Sequence, residues 1–322
     1  MSDIFGDENN PCICKQMVED PEFDLSVQLE SVRISTEFLT AGKGFCNIPF
    51  IHLLHFRTGP LATAFGSKAI LREDHVLAFE PVVHTPGEVL KLQKPDLQKD
   101  GMCKDILERI DYYNEATQGK ILILPCDTAG SWSIATQIWH FEDMLEAIYT
   151  APEVVNGFLD MVTECIIEFI HIQMERIGRN FCSFNHTGML WNPRGWYLGD
   201  DTMVTVSPKQ FREFFMPYNE RIAREFGGII YHCCMNHDFQ FENMADTKGF
   251  MGFDANPDYN SHDLIEKALS GKGVWARSID DWGLIDRFRG KVGLFLLVRG
   301  SSRQEALDNA SRLREHLQLK QP

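Results

Sequence analysis

Short apolar runs alternate along this chain with longer stretches in which apolar residues return every three or four positions. The clearest run is 229–233, set off by Gly227 and Gly228 and leading into Cys234. A short apolar run bounded by glycines reads as a buried strand. Comparable runs lie at 45–55, 121–124, 180–184, 249–253, 274–279 and 292–298. Between them, Val155, Phe158, Leu159, Val162, Ile166, Phe169 and Ile170 keep helical spacing. That stretch opens on Thr150-Ala151-Pro152-Glu153, a cap, a first-turn proline and an acid, and Gly178 ends it. Ser207 and Gln210 have the spacing of a capping box, ahead of a helix carrying Phe211, Phe214, Phe215, Tyr218 and Ile222; Pro217 should break it. Further helices are expected over 21–41, 131–139 and 262–269, and after Ser301. Residues 188–201, with Trp191, Trp196 and Tyr197, read as a long aromatic loop. Short strands alternating with amphipathic helices predict an α/β fold with a parallel sheet. The expected architecture is a (β/α)8 TIM barrel, with a doubly wound open sheet as the alternative. A single domain over 21–322 is expected, after a loosely ordered segment 1–20.

Composition narrows the function. The formal net charge of −15 disfavours nucleic acid and anionic membranes as partners, because phosphate binding needs clustered Lys and Arg. The polar, acidic first ten residues do not resemble a signal peptide, and no apolar run has the length of a membrane span. A cytoplasmic protein acting on a small molecule is expected. The nine cysteines, an odd count without a framework, are expected to be free thiols.

In a parallel α/β barrel, reactive groups sit at the C-terminal ends of strands. Those positions hold Asp127, then Asn185 and His186, then His232 and Cys234, Asp254 and Asn256, Asp280 and Asp281, and Arg299. On an extended strand His232 and Cys234 face the same way and Cys233 the opposite way. An imidazole and a thiol side by side can hold a soft metal such as zinc. Each position also has a plainer reading. His232 can be a core histidine, Cys234 a small buried hydrophobe, His237 a loop residue, and Asp127 or Asp280 a helix cap. Of the adjacent Asp200 and Asp201, one can act as a general base with a raised pKa.

Several stretches then fall into a familiar order. They are Leu124-Pro125 with Ser133-Ile134-Ala135, Pro152-Glu153-Val154-Val155, Gly199-Asp200-Asp201, Ser207-Pro208, Phe214 to Pro217, Tyr231-His232-Cys233-Cys234 and Met244-Ala245-Asp246. Together, over about 45–318, they resemble the uroporphyrinogen decarboxylase superfamily, which includes zinc-dependent methyltransferases that take methyl groups from corrinoid proteins. The resemblance implies a single (β/α)8 barrel and two different activities. The decarboxylases work without a cofactor and hold the tetrapyrrole carboxylates with an N-terminal arginine-rich motif. Arg57 is the only arginine in that region here, a poor clamp for many carboxylates. The methyltransferases bind zinc through His-x-Cys and a later cysteine. His232 and Cys234 match the pair, and no cysteine follows Cys234. Either Cys233, His237 or an aspartate such as Asp281 supplies the third ligand, or the chain holds no zinc. The expectation is a metal-assisted methyltransferase, with zinc in the chain and corrinoid supplied by a partner protein. Asp127, Asp201 and Asp281 are the catalytic candidates, and Arg57, Asn185, His186 and Trp196 the substrate-binding ones. A homodimer is an open option. A cofactor-free tetrapyrrole decarboxylase and a non-catalytic cofactor-binding barrel are the alternatives.

Overall fold

The computed structural model describes residues 11–40, 50–71, 77–183, 195–279, 281–296 and 302–317. Among the described residues nine strands run in chain order: β1 (Phe50–His52), β2 (Lys68–Leu71), β3 (Leu77–Glu80), β4 (Leu122–Leu124), β5 (Trp196–Gly199), β6 (Ile229–Cys233), β7 (Phe250–Ala255), β8 (Val274–Ile279) and β9 (Gly293–Leu296). β5 to β9 form a five-stranded parallel sheet in sequence order, and β1 pairs in parallel with β4. Ile123 of β4 also makes a parallel bridge to Phe181. β2 and β3 form an antiparallel hairpin apart from both. The protein is thus α/β with parallel sheets, as the alternation predicts. Among the described residues no strand pairs with the outer edge of β1 or of β9.

The helices Pro21–Thr40, Ser131–Ile138, Pro152–Ile177 and His262–Leu269 follow the apolar spacing closely. Ser207 and Gln210 form both bonds of the capping box, and the chain breaks at Phe215 before a second helix, Met216–Phe226. Pro217 sits in the first turn of that second helix, where its missing N–H costs nothing. Two helices, Gly101–Ala116 and Phe141–Thr150, and the β2–β3 hairpin lie in stretches without a clear sequence signal. β5 occupies the expected aromatic loop: Trp196 and Tyr197 belong to a fully buried strand. Among the described residues no helix is long and apolar enough to cross a membrane.

The sheet has two different faces. Trp196, Leu198, Ile229, Tyr231, Cys233, Phe253 and Trp275 point into the large core shared with the helices. Tyr197, Ile230 and Ala276 form a small separate cluster on the opposite, inner face. Leu124 and Cys182, with Phe50, Leu54 and Leu122, form a second one under the β1–β4 pair. The alternation is the two-residue period of a strand.

The N-terminal helices are tied to β1 by a buried polar network. Gln28 accepts from His52 N at 2.6 Å and donates to His52 O at 3.1 Å, so a side-chain amide does the work of a neighbouring strand at that edge. Asp24, fully buried, accepts from Arg109 and from Tyr113, with His55 Nε2 at 3.2 Å. Arg109 also donates to Met17 O and Val18 O at 2.8 Å, holding the end of helix Pro11–Glu19. Burial, helped by the charge of His55, brings the His52 imidazole down to about 4, against the pull of Asp24. Burial works to raise the Asp24 carboxyl, but the close His55 imidazole and the bonds from Tyr113 and Gln28 outweigh it and hold the group below its ordinary value.

Both shifts make the fold acid-labile. Unfolded, His52 takes a proton near pH 6.5; folded, only near pH 4. Stability held above pH 6.5 is therefore lost progressively towards pH 4, by roughly 3 kcal/mol at most from this residue. The Asp24 contribution falls away further down, as pH drops through its depressed value. Urea midpoints measured at pH 7 and pH 4.5 should differ accordingly, and His52→Leu should flatten the difference.

Candidate metal centre

β5, β6 and β7 place Gly199, His232 and Asp254 in one row, since Gly199 pairs with His232 and His232 with Asp254. That row depends on an irregularity. Ile229 pairs with Phe250, yet Ile230 pairs with Gly252, so β7 carries one extra residue. Without it, Phe253 would stand opposite His232. Gly252 makes the bulge possible: a Cβ there would lie 2.1 Å from Val274 O. The extra residue turns Phe253 to the helix core and Asp254 to the inner face.

On that face His232 Nδ1 lies 2.9 Å from Asp254 Oδ2, and Tyr197 Oη donates to the same oxygen at 3.0 Å. The Tyr197 ring sits against the imidazole, with centroids 5.5 Å apart. The other imidazole nitrogen, Nε2, is 3.1 Å from Cys234 Sγ. His232 and Asp254 are buried, while Cys234 opens to solvent. Cys234 N donates to Asp201 Oδ1 at 2.6 Å, which brings that carboxylate over from the turn after β5. Donor atoms of Asp201, His232 and Cys234 all lie within 4.8 Å of one another. Beside them an added Cβ at Gly199 would meet nothing within 4 Å, so the inner face has open room next to the imidazole.

Burial penalises a charge on His232, but its bonds to Asp254 and Cys234 outweigh the penalty and raise the imidazole to about 10. Burial, followed by the negative charges of Asp254 and Asp127, pushes the Tyr197 phenol well up. Asp127, buried just beyond β4, thus contributes to the same electrostatic environment. Burial also raises Asp200 to about 7, against the bonds from Ser133, Asn219 and Thr202. Ser133 Oγ donates to it at 2.6 Å, so this carboxyl faces helix Ser131–Ile138 while its neighbour Asp201 joins the thiol.

The other expected residues fall elsewhere. Cys233 is buried in the helix-facing core, as strand alternation requires, and burial pushes its thiol up. His237 is buried edge-on to Phe241 and Phe253, with Nδ1 on Met235 O at 2.8 Å. Asp281 is spent on Leu284 N at 2.9 Å, capping helix Trp282–Phe288. These three expected third ligands are occupied by packing or capping, and Asp201 is the residue that meets the pair. Trp196 lies on the helix face, its indole donating to Thr128 Oγ1 at 3.1 Å; Tyr197 is the aromatic residue of the inner face. Arg57 is exposed after β1 with a left-handed backbone (φ 60°), a strained state for a side chain with a Cβ. Asn185, His186, Asp280 and Arg299 lie outside the described residues.

The family model for uroporphyrinogen decarboxylase (URO-D) matches residues 56–272. The chain belongs to the uroporphyrinogen decarboxylase family. The methyltransferase from Methanosarcina mazei is similar in structure, with a TM-score of 0.62 at 14% identity over 91% of this chain and 86% of that one. At that identity the likeness is one of fold. No curated protein matches the chain by sequence. Within this family member, the matched region holds every residue of the centre: Tyr197, Asp201, His232, Cys234 and Asp254.

The two glycines of the row predict opposite responses to one methyl group. Gly252→Ala must push Val274 away or abolish the bulge, and should cost about 2 kcal/mol or more. Gly199→Ala meets open space and should change stability by less than about 0.5 kcal/mol. Chemical unfolding of both variants measures the contrast.

Proposed function

We propose that the chain is a metal-assisted methyltransferase of the uroporphyrinogen decarboxylase superfamily. It would move a methyl group between a corrinoid protein, or a methylated small molecule, and a thiol-type acceptor. The observation that carries this reading is the convergence of Asp201, His232 and Cys234 donors within 4.8 Å, with Asp254 behind the imidazole. The donor set suits zinc. Imidazole nitrogen, thiolate sulfur and carboxylate oxygen are its usual ligands, and three protein ligands leave a position for substrate. One thiolate and one carboxylate balance the dipositive charge. Asp201 would take the place that a later cysteine holds in the methyl-transferring branch.

Zinc held there would supply Lewis acidity, lowering the pKa of a substrate thiol and readying its sulfur for the methyl group. The chain's own residues do the rest. Asp254 holds the Nδ1 proton, so Nε2 is the nitrogen aimed at Cys234, and a metal bound there would take the place of the Nε2 proton. Tyr197, bonded to the same Asp254 oxygen, keeps that carboxylate from turning. The gap beside Gly199 gives an acceptor room next to the imidazole. Arg57 would hold an anionic end of the substrate, and Asp127 would line the pocket with Tyr197. Met235, Phe239 and Tyr259, apolar and exposed beyond β6 and β7, offer a surface for a corrinoid protein. A (β/α)8 barrel is supported by seven parallel strands, with the Phe181 bridge as an eighth position, following one another in sequence order within their sheets.

Metal analysis tests the proposal. Purified protein should carry about one zinc per chain in this centre, lost in His232→Ala and Cys234→Ala. Asp254→Asn should weaken zinc binding by about 10- to 100-fold while leaving the ligands in place. A folded chain with no metal at this centre that decarboxylates a porphyrinogen would overturn the choice in favour of a cofactor-free decarboxylase.

A further inference from the structure

We propose a second transition-metal site, formed by His84, His140 and Asp143, remote in sequence from the Cys234 centre. The backbone builds it. Val83 makes a parallel bridge to Trp139, and His140 N donates to Val83 O at 2.9 Å. The two residues that follow the bridge are therefore neighbours, with imidazole centroids 4.9 Å apart. Asp143 is three residues on, in the first turn of helix Phe141–Thr150, and reaches back to both rings. Its Oδ2 lies 2.9 Å from His84 Nδ1 and 3.2 Å from His140 Nδ1.

Three ligand atoms from three side chains lie within 4.8 Å of one another. Ligands about 2.0–2.2 Å from a tetrahedral zinc stand about 3.3–3.6 Å apart; the 3.2 Å pair of His140 and Asp143 is near that spacing, and the 2.9 Å pair of His84 and Asp143 is a hydrogen bond that a bound metal would replace. A second observation points the same way. His140 Nδ1 is closed off from solvent and makes no hydrogen bond, although two carboxylate oxygens, of Asp143 and Glu142, lie within 3.3 Å of it. The nitrogen is close to its acceptors but wrongly aimed for a proton between them. A cation held between them would satisfy that nitrogen. The backbone of His84 is fixed, its main-chain N–H donating at 2.8 Å to Glu88 Oε2, the carboxylate that also closes the capping box with Thr85 at the start of helix Pro86–Val89. Two imidazoles and a carboxylate, with no sulfur, favour zinc or a similar divalent transition metal over calcium or magnesium. Binding would lock the turn after β3 to helix Phe141–Thr150.

Cobalt titration of the full-length, metal-stripped chain tests this, with zinc used to compete it off. In a His232→Ala/Cys234→Ser background the protein should still take up about one cobalt, with visible bands and no thiolate-to-metal band. His84→Ala or His140→Ala should weaken that uptake by more than about tenfold, and Asp143→Asn should weaken it too. If the background variant does not fold, the wild-type chain serves. There, His84→Ala should lower the cobalt count by about one and leave any thiolate band unchanged. No uptake in the folded background, or uptake that ignores all three substitutions, overturns the site. The sulfur band separates the two centres, so failure of one is read apart from failure of the other.

Discussion

The inner face is organised by one contact, the bond between His232 Nδ1 and Asp254 Oδ2. It exists because β7 carries one residue more than β6 needs. A bulge reverses the inward and outward order of every later residue on its strand. Here the reversal sends Phe253 into the helix core and Asp254 to the inner face, where a carboxylate would otherwise be costly to bury. The cost is met by two donors, His232 and Tyr197, on one oxygen. Each of the three groups thereby fixes the other two.

Fixing the imidazole decides what its far side can do. Nε2 points at Cys234, and Cys234 in turn holds Asp201 through its backbone N–H. Burial grades outward along this series, from Asp254 and His232 to the exposed Cys234 and Asp201. The rigid, dehydrated end sets orientation, and the open end is where a metal and a substrate would enter. Gly199 keeps the space between them clear. The helix face of the same strands carries Trp196, Tyr231 and Cys233, which hold the scaffold.

Much of this was legible in the sequence, and the rest was hidden for identifiable reasons. The run 229–233 declared itself as a strand, and a two-residue period is enough to put His232 with Cys234 and turn Cys233 away. The helix Pro152–Ile177 and the capping box at Ser207 follow from spacing alone. β5 was hidden because Trp196 and Tyr197 fall in what reads as a long aromatic loop; on a strand they split between two faces, one to Thr128 and one to Asp254. Asp254 could be named as a strand-end residue. Its partner could not, because the pairing depends on a bulge whose one sequence trace is Gly252. Asp281 looked equally good as a strand-end carboxylate, and the local bond to Leu284 N claimed it.

The missing later cysteine shows the same limit from the other side. A motif counts ligands along the chain, whereas a metal site counts atoms in space. Reading along the chain from Cys234, Cys233, His237 and Asp281 are the candidates for a third ligand. Reading across the sheet, the side chain that meets the pair comes from the strand before: Asp201 follows β5, whose last residue Gly199 is paired with His232. A parallel sheet brings the ends of successive strands together whatever their separation in sequence. The residue two beyond Gly199 and the residue two beyond His232 therefore meet. A carboxylate at one and a thiol at the other keep the anionic charge of a two-thiolate site. In this geometry the loss of one cysteine is compatible with metal binding, and the shift from sulfur to oxygen should make the centre harder and more exchangeable.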